Sequence, residues 1–397
     1  MAIDKLTVRD VDVQRKRVLM RVDFNVPMKD GRVADDTRIR GSLHTIRYLM
    51  AEEAKIILCS HLGRPGGRVV KSLRMAPVAE RLQDLLRGPV KTAPDCVGAE
   101  VMDAIDALKP GEVLLLENLR FHAAEEGNGP RFAKALAALG DIYVNDAFSA
   151  SHRPHASVVG LPEHLPAVAG FLMEKELDML GRLLREPDHP FALIMGGAKI
   201  GDKIGLLENL LTRVDKFLIG GGMANNFLKA EGFPVGDSLV DDKRITTTRR
   251  VMEQAQARGV EIILPIDVLV ADKTAADART RAVSVQEVPE GWRIVDIGPK
   301  TVEVFKRAIQ GCRLVGWNGT LGIAEVPAFA QGSQAIALAM VSLRGAITVA
   351  GGGDTVALIQ QTGTDRQFTH VSLGGGATLE FLEGRELPGV AALLPAE

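Results

Sequence analysis

The chain has 397 residues, of which 46% are hydrophobic and 25% are charged. A chain of this length exceeds the size at which one hydrophobic core keeps growing, so two domains are expected. The formal net charge is −2, which argues against general electrostatic attraction to nucleic acid or to an anionic membrane. An anionic ligand would therefore have to be held by local positive charge.

The three cysteines, Cys59, Cys96 and Cys312, are far apart and form no CxxC pair. We expect small buried thiols in a reducing compartment rather than a disulfide or a metal site. The N-terminus lacks the apolar region of a secretory signal. No apolar run approaches the ~20 residues that span a bilayer. These features predict a cytoplasmic protein.

Short aliphatic runs alternate with amphipathic stretches along the chain. The runs predict strands at residues 18–22, 55–59, 112–116, 142–144, 191–195, 216–219, 261–264, 313–315, 346–350 and 370–373. Most are continuously apolar, as in strands of a parallel sheet covered on both faces. The stretches 76–86, 131–139 and 246–257 predict crossover helices. This alternation predicts an α/β protein with two doubly wound parallel-sheet (Rossmann-like) domains.

The junction between the two domains is predicted near residues 165–188. Residues 163–185 have the pattern of a long helix with little strand character. Pro187 and Pro190 end this pattern, because proline cannot continue a helix and pushes the preceding residue toward extended geometry. We therefore expect a helical connection between the domains.

Basic and polar residues follow the four predicted strands of the first half. They are Asp23, Asn25, Arg38, His61, Arg64, Arg120, His152, Arg153 and His155. Ligands of open α/β sheets bind outside the carboxyl ends of the strands, so these groups are expected to converge. Arginine forks match carboxylate and phosphate oxygens, and histidines add donors. The set predicts a site for a small acidic metabolite.

Each of these residues also has a structural interpretation. A single arginine at a strand end is usually solvated or caps a helix, and a single histidine is usually structural. Asp23 and Asn25 could be Asx-turn residues. A histidine metal site is a poorer alternative, since no HxxxH or HExxH spacing occurs. Only the recurrence at four strand ends favours a shared anion site.

Glycine clusters follow or flank strands of the second half. They lie at residues 196–203, 220–226, 351–355 and 374–378. Glycines there allow backbone N–H groups to point at phosphate oxygens near helix N-termini. None matches the P-loop or the dinucleotide fingerprint. One such run could be a tight turn, but several in one domain predict nucleotide binding.

Four side chains near these clusters could act on a nucleotide. Lys199 and Lys203 are four residues apart, and they share one face if a helix has begun there; a solvated lysine face is the alternative. Asp354 could hold Mg²⁺ beside phosphates or could be the N-cap of a helix at 355–361. Glu325 could accept hydrogen bonds from ribose hydroxyls or could be an ordinary surface residue.

The ordered set of motifs resembles the phosphoglycerate kinase family. The segments are RVDFNVP (21–27), DDTRIR (35–40), SHLGRP (60–65), LLLENLRFH (114–122), NDAFSASHRPHASVVG (145–160), GGAKIGDKI (196–204), GGGMANNFL (220–228), LPIDVLVADK (264–273), DIGPKT (296–301), GWNGTLGIAE (316–325), GGGDTVA (351–357) and LGGGATLEFLEGRELPGV (373–390). They run in the family's order over nearly the whole chain. The resemblance implies reversible phosphoryl transfer between 1,3-bisphosphoglycerate and MgADP, giving 3-phosphoglycerate and MgATP.

The resemblance also implies roles for individual residues. The phosphoglycerate site would comprise Asp23, Asn25, Arg38, His61, Arg64, Arg120 and Arg153. The nucleotide site would comprise Lys203, Gly298, Glu325, Gly351, Gly352, Gly353, Asp354 and Thr355, with Asp354 facing the Mg²⁺ that accompanies ATP or ADP. The transferring phosphoryl group would be held by Arg38, Lys199 and the N–H groups of Gly374 and Gly375.

The implied domains are a phosphoglycerate-binding domain at residues 1–170, a helical hinge at 171–188 and a nucleotide-binding domain at 189–384. The tail, about 385–397, would return to the first domain. This chain departs from the family pattern at several places, among them Ser149–Ser151, Thr320, Leu321, Ala324, Leu373 and His44. The changes at Ala324 and Leu373 leave the geometry of the nucleotide loops open.

Two other classes of function share some of these features. A nicotinamide-dependent dehydrogenase would carry GxGxxG with an acidic residue ~20 positions later, and no cluster does. A non-catalytic nucleotide-dependent scaffold would not need the arginines of the first half. The partners expected are therefore small molecules, with neither nucleic acid nor membrane, and a monomer is expected because no exposed apolar stripe is evident.

Overall fold

The computed structural model describes residues 5–396. The chain forms two compact units. The first unit runs to Asp178 and includes the chain again from Glu386, and the second unit is Met179–Arg385. No helix within the described residues is long and apolar enough to cross a membrane.

The first unit is built on a parallel sheet with helices in the crossovers. Its elements are β1 (Arg17–Arg21), β2 (Met28–Lys29), β3 (Arg32–Val33), α1 (Thr37–Ala51), β4 (Lys55–Cys59), α2 (Ala76–Leu86), β5 (Val90–Thr92), α3 (Ala99–Asp106), β6 (Val113–Leu115), α4 (Ala123–Glu126), α5 (Pro130–Ala137), β7 (Ile142–Asn145) and β8 (Ala167–Ala169). The helix α6 (Phe171–Leu184) then carries the chain from the first unit into the second.

The sheet of the first unit has six strands in the order β5-β6-β4-β1-β7-β8, and every pairing is parallel. The central strand β1 pairs with β4 at one edge and with β7 at the other. The strand order therefore reverses at the carboxyl end of β1, which is where ligands bind in this type of fold.

The second unit is also built on a parallel sheet with helices in the crossovers. Its elements are β9 (Phe191–Met195), α7 (Ile204–Leu210), β10 (Lys216–Ile219), α8 (Gly221–Ala230), α9 (Ile245–Ala257), β11 (Glu261–Ile263), β12 (Asp267–Ala271), β13 (Thr280–Ser284), β14 (Arg293–Ile297), α10 (Pro299–Ile309), β15 (Leu314–Asn318), α11 (Gln331–Val341), β16 (Ile347–Gly351), α12 (Gly353–Gln361), β17 (His370–Val371) and α13 (Gly376–Leu382).

The main sheet of the second unit also has six parallel strands, in the order β11-β10-β9-β15-β16-β17. Its strand order reverses between β9 and β15. The two parallel sheets confirm the predicted doubly wound α/β fold. A separate antiparallel sheet, β13-β12-β14, was not predicted.

The C-terminal segment packs on the first unit. It contains the short helix α14 (Pro388–Ala391). The N–H of Gly389 donates to the carbonyl of Ser151 at 2.8 Å, and the N–H of Leu394 donates to the carbonyl of Ala167 at 2.9 Å. The tail therefore bonds to the edge strand β8, which residues 6–8 also contact.

The predicted long helix at 163–185 is wrong at its start. Residues Ala167–Ala169 form β8, which pairs with β7, and the helix begins only at Phe171. The strand was missed because it is three residues long and contains two alanines. Most other predicted elements lie within two residues of the observed ones, and 76–86 coincides with α2.

Candidate active site

Asp23 lies just after β1 and is the centre of a hydrogen-bond network. Its Oδ2 accepts hydrogen bonds from Nη1 of Arg38, at 2.7 Å, and from the hydroxyl of Ser149. Its Oδ1 accepts from the N–H of Asn25 at 3.1 Å. Burial raises the pKa of Asp23, but the Arg38 guanidinium and its other partners lower it more, so that the net shift is downward. Asp23 is therefore an anion that orients Arg38.

The Asx-turn interpretation of Asp23 is compatible with a binding role. The bond to the N–H of Asn25 has the two-residue spacing of such a turn. The side chain of Asn25 in turn accepts from the N–H of Gly63 at 2.8 Å, and Nη1 of Arg38 reaches the Asn25 carbonyl at 3.1 Å. The loops after β1 and β4 are thus fixed to each other and to α1.

His61 follows β4 and contacts the buried Arg21 at the end of β1. Nη2 of Arg21 lies 3.0 Å from Nδ1 of His61. Burial and the Arg21 guanidinium hold the pKa of His61 well below its usual range. The ring is therefore neutral, and because a guanidinium can only donate, Nδ1 accepts and Nε2 carries the proton. His61 offers one N–H donor.

The other three arginines of the predicted anion site differ in their exposure and in their hydrogen-bond partners. Arg120 is 5% exposed and donates from Nη1 to the carbonyl of Gly63 at 2.9 Å. Arg153 is partly buried and donates from Nε to His152 at 3.2 Å. Arg64 is exposed and makes no hydrogen bond or ion pair within the described part of the chain. Of these three arginines, Arg64 is the most available to a ligand.

His155 belongs to the buried interior behind the strand ends. Its Nδ1 lies 3.8 Å from Oε1 of Glu125, which is fully buried and accepts from the hydroxyl of Ser157 at 2.6 Å. Burial, with smaller contributions from nearby arginines, lowers the pKa of His155 to about 4. The same Ser157 hydroxyl accepts from Nε of Arg21 at 2.9 Å. These contacts support the structural interpretation of His155.

In the second unit, Lys203 is buried beneath the glycine loops. It is 8% exposed, and its Nζ donates to the carbonyls of Gly196 at 2.7 Å and Asn318 at 3.0 Å. Burial lowers the pKa of Lys203 to about 8, against a smaller opposing effect of Asp354. Gly319 has φ +92°, and a Cβ there would collide with Nζ of Lys203. Glycine is therefore required beside this ammonium group.

Lys199 lies in extended backbone and not in a helix with Lys203. Its φ and ψ are −128° and 129°, and it precedes a short 3₁₀ turn, Ile200–Asp202. The helix α7 begins only at Ile204. The condition under which both lysines would share a helix face is therefore not met, because Gly201 and Asp202 form a turn first. Lys199 is exposed, and its side chain makes no hydrogen bond or ion pair within residues 5–396.

A cavity of about 490 Å³ opens at the carboxyl ends of the second sheet. Its lining residues come from the loops after β9, β10, β15 and β16 and from β14 and its surroundings: Gly197, Ala198, Gly221, Gly222, Asn225, Asp237, Leu239, Thr274, Arg293, Ile294, Val295, Asp296, Thr320, Leu321, Gly322, Ile323, Glu325 and Asp354. Of the predicted nucleotide residues, Glu325 and Asp354 line it directly. The volume suits a nucleoside-sized ligand.

The loop after β16 brings Asp354 to this cavity from the first turn of α12. The helix begins at Gly353 and its N-cap is Gly352, so the alternative interpretation of Asp354 as an N-cap is wrong. Asp354 is exposed. The hydroxyl of Thr355 is buried and accepts from the N–H of Gly319 at 2.8 Å, which ties the loop after β16 to the loop after β15. Gly351 ends β16.

Gly298 does not line the cavity. It is the N-cap of α10, and its N–H donates to the carbonyl of Asp267 at 2.9 Å. A Cβ at Gly298 would collide with the Asp267 carboxylate, which accepts from the N–H groups of Lys300 and Thr301. This close approach accounts for the glycine.

Gly374 and Gly375 precede α13. The N–H of Gly374 donates to the hydroxyl of Ser372 at 3.2 Å. Gly375 is the N-cap and has φ 54°, and its N–H donates to no acceptor among residues 5–396. This pair therefore leaves one backbone donor for a ligand.

Several residues of these two sites were not predicted. Arg21 was not predicted as a site residue, because the sequence of an apolar strand does not indicate which residue its arginine contacts. Ser149 lies in the loop after β7, and only the fold brings its hydroxyl to the Asp23 carboxylate, which is 126 positions away in the sequence. Asn225 and Arg293 line the cavity from a helix and from the unpredicted antiparallel sheet. Their proximity depends on tertiary structure and not on spacing.

Comparison with known proteins decides the family. The family model described as phosphoglycerate kinase matches residues 8–385. The chain belongs to the phosphoglycerate kinase family. It is accordingly a phosphotransferase with a carboxyl group as acceptor, which interconverts 1,3-bisphosphoglycerate and ADP with 3-phosphoglycerate and ATP.

Curated relatives of similar length support this assignment. Phosphoglycerate kinase of Moorella thermoacetica is 52% identical over 389 residues, covering 98% of this chain and 99% of the relative. That of Chloroflexus aggregans is 52% identical over 400 residues and covers 100% of both. The alternatives of a dehydrogenase and of a non-catalytic scaffold are not favoured.

Solved structures agree with the sequence relatives. The structure of phosphoglycerate kinase from Coxiella burnetii matches with a TM-score of 0.88 at 37% identity, over 98% of both chains. The crystal structure of the enzyme from Pyrococcus horikoshii OT3 matches with a TM-score of 0.82 at 33% identity, also over 98% of both chains. The fold of this chain is that of phosphoglycerate kinases.

Proposed function

We propose that the residues of the two strand-end sites divide the reaction between them. The first unit (proposed domain 1–170 with the tail about 385–397) binds phosphoglycerate, and the second (189–384) binds the nucleotide. The observation that carries this proposal is that each sheet gathers its polar or glycine loops at the point where its strand order reverses.

On the phosphoglycerate side, the groups present donors to an anion. Arg38 is held by Asp23, and His61 is fixed as a neutral donor by Arg21. Arg64 is unpartnered in the described chain and exposed, as expected for a group that waits for a ligand. Asn25, Arg120 and Arg153 complete the proposed set. Guanidinium groups bind carboxylate and phosphate oxygens through paired hydrogen bonds.

On the nucleotide side, the cavity of the second unit receives the base and ribose. Glu325 lines it and offers carboxylate oxygens to ribose hydroxyls. The proposed phosphate loop comprises Gly351, Gly352, Gly353, Asp354 and Thr355, above Lys203. Gly298 has no side chain, which leaves room for the Asp267 carboxylate to accept hydrogen bonds from the first N–H groups of α10. Backbone N–H groups at a helix start favour negative charge.

The residues present fit a Mg²⁺ ion that enters with the nucleotide. Asp354 is an exposed carboxylate on the cavity wall, and Mg²⁺ is usually held by one or two carboxylates together with substrate phosphates. When bound, the ion would neutralise phosphate charge. The remaining chemistry is carried by the groups of the chain itself.

The chemical step needs positioning and charge neutralisation but no general base. In the ATP-consuming direction the carboxylate of 3-phosphoglycerate, already ionised at pH 7, forms a bond to the γ-phosphorus as the bond to the ADP oxygen breaks. Lys199, Arg38 and the N–H group of Gly375 are the proposed donors to the transferring oxygens, and the N–H group of Gly374 would join them on leaving the Ser372 hydroxyl. Such donors act most strongly where water is excluded.

Transfer on this proposal requires the two units to come together, because each carries half of the reacting groups. The chain passes from one to the other within α6, so residues 171–188 are the proposed hinge. Small-angle scattering with 3-phosphoglycerate and a nucleotide should give a smaller radius of gyration than with either alone. An unchanged radius would contradict hinge closure.

The proposed enzyme is a cytoplasmic monomer. Its proposed partners are small molecules, with neither nucleic acid nor membrane. The net charge of −2 supports the absence of polyanion binding. The three cysteines are buried free thiols in the structure, which suits a reducing compartment. Sedimentation analysis would test the monomer.

The direct test of function is ATP formation from 1,3-bisphosphoglycerate and MgADP, coupled to a detectable reaction. The purified chain should turn over at enzymatic rates and should require both substrates. A protein that bound ADP but formed no ATP would instead be the nucleotide-dependent scaffold. Reduction of a nicotinamide cofactor by the chain itself would favour a dehydrogenase.

A further inference from the structure

Three side chains that are able to bind a transition metal lie together in the loops after β5 and β6 of the first unit. They are the carboxylate of Asp95, the thiol of Cys96 and the imidazole of His122, and their ligand atoms all lie within 4.8 Å of one another. They form the one such group of three histidine, cysteine or acidic side chains among the described residues. None of the three belongs to the sets proposed above for phosphoglycerate or for the nucleotide.

Existing contacts already orient the three groups. Nε2 of His122 lies 2.6 Å from Oδ1 of Asp95, and the imidazole ring stacks on Phe132 with 4.8 Å between the ring centroids. The N–H of Cys96 donates to the same Oδ1 at 2.7 Å, and its Sγ donates to the carbonyl of Glu117 at 3.0 Å. The ligand atoms are therefore held close together before any ion binds.

The distances between these groups are compatible with one zinc ion after small movements. Bonds of about 2.0–2.3 Å from zinc to oxygen, nitrogen and sulfur place the ligand atoms of a tetrahedral site about 3.3–3.6 Å apart. Nε2 and Oδ1 must separate by about 0.7 Å, and no other pair of ligand atoms must approach by more than about 1.5 Å. The side chains of His122 and Asp95 are 29% and 49% exposed, so they can move while the buried thiol of Cys96 stays in place.

We propose that Asp95, Cys96 and His122 bind Zn²⁺, with a water molecule in the fourth position on the exposed side of the site. The thiolate and the imidazole favour zinc over Mg²⁺ and Ca²⁺, which prefer oxygen ligands. On binding, the Sγ–H proton leaves to solvent and the sulfur bonds to the metal, while the neutral imidazole carries its single proton on Nδ1. One thiolate and one carboxylate then balance the charge of the ion.

The ion would join two segments that are distant in the sequence. Asp95 and His122 are 27 positions apart, which is why the spacing of the cysteines alone predicts no metal site. His122 lies two residues after Arg120, in the segment that follows β6. A bound ion would therefore fix the segment that carries a proposed phosphoglycerate ligand to the loop after β5.

Cobalt spectroscopy on the wild-type chain tests the site without any substitution. The protein is first freed of metals with a chelator and kept without nucleotide, and Co²⁺ is then added. A sulfur-to-cobalt charge-transfer band should appear, should be lost on addition of one equivalent of Zn²⁺, and should survive a large excess of Mg²⁺. Absence of the band with Co²⁺ in excess, or its loss on addition of Mg²⁺, would overturn the proposal.

Substitution of the ligands assigns the band to this site. Cys96→Ala should abolish the band, and Asp95→Asn and His122→Gln should each weaken Zn²⁺ binding by at least about tenfold in a competition titration. A wild-type band in Cys96→Ala, or unchanged Zn²⁺ affinity in either of the other variants, would contradict the three-ligand site. If Cys96→Ala does not fold, the wild-type spectra and the variant at the half-exposed Asp95 decide.

Two matched controls separate this site from other thiols and histidines of the chain. Cys312 is also a buried thiol that donates to a carbonyl, that of Ala308 at 3.6 Å. Nδ1 of the exposed His189 lies 2.7 Å from Oδ2 of Asp215, as in a second histidine–carboxylate pair. Cys312→Ala and His189→Ala should both keep the wild-type band and the wild-type Zn²⁺ affinity. An equal loss in either control would place the metal elsewhere and overturn the assignment.

Discussion

Arg38 of α1 and Asp23 after β1 form an ion pair with an Nη1–Oδ2 distance of 2.7 Å. Asp23 is 7% exposed, whereas about a third of the Arg38 side chain is accessible to solvent. The buried carboxylate thus fixes the position of Arg38, and the rest of the guanidinium group remains free to bind a ligand. The geometry is that of a positioned donor and not of a closed structural pair.

Arg38→Ala is expected to lower kcat by about 10²-fold or more, because it removes a donor to the transferring phosphoryl oxygens. The melting temperature should fall, because the buried Asp23 carboxylate loses its main compensating charge although it keeps its bonds to Ser149 and Asn25, so activity is compared well below the unfolding transition. Steady-state kinetics gives the comparison. Arg40→Ala on the same helix, which loses an exposed pair with Asp36, is the control and should retain activity. Near-normal turnover of Arg38→Ala would remove it from the proposed role.

Lys199→Ala should also lower kcat by about 10²-fold or more, with ADP affinity affected less. The reason is that Lys199 is exposed and has no partner in the described chain, so its charge is available only to a ligand. Single-turnover measurements separate the chemical step from binding. Lys306→Ala, which removes a surface pair with Glu303, should be indistinguishable from wild type. An equal loss in the two variants would contradict a specific role.

The contrast between Lys199 and Lys203 shows where sequence reasoning reached its limit. The spacing of four residues was compatible with one helix, but the glycine between them allows a turn, and the lysines end in opposite environments. Burial of Lys203 depends on carbonyls of Gly196 and Asn318, the second of which lies 115 positions away. No local pattern contains that information.

The affinity for ADP is expected to fall as pH rises through about 8. The pKa of Lys203 is lowered to about 8, with burial as the main cause. Below that pH the ammonium group contributes positive charge beneath the phosphate loop, and above it the group becomes neutral. Calorimetric dissociation constants at pH 7 and pH 9 give the test, with Lys203→Met as the comparison. A wild-type pH dependence that survives in Lys203→Met would assign it to another group.

Asp146 should make the fold less stable as pH rises from about 4 to about 7. Burial raises its pKa to about 7, and the hydrogen bonds that it accepts from Leu172 and Met173 lower it less. The folded protein therefore retains a proton that the unfolded chain releases near pH 4. Melting temperatures at pH 5 and pH 8 should differ less in Asp146→Asn than in wild type. An equal or larger difference in the variant would contradict this account.

The parallel sheets were predictable because buried strands are continuous apolar runs, as in 191–195 and 55–59, which coincide with β9 and β4. The antiparallel sheet was not, since β13 is largely exposed and β14 contains the buried carboxyl group of Asp296. Candidate site residues could be proposed from the sequence where they follow apolar strands, as Asp23 and His61 do. Asn225 could not, because it lines the cavity from a helix, and the sequence does not indicate which residues of that helix meet the cavity.

The division of labour between the two units is tested most directly by measuring both ligands on two variants. Arg64→Ala should weaken 3-phosphoglycerate binding about tenfold or more, through loss of a charged hydrogen-bond donor, and leave ADP unaffected. Asp354→Asn should weaken MgADP binding and leave 3-phosphoglycerate unaffected. Calorimetry of all four combinations with wild type as reference gives the result. Unchanged 3-phosphoglycerate affinity in Arg64→Ala, or equal loss of both ligands in either variant, would contradict the account.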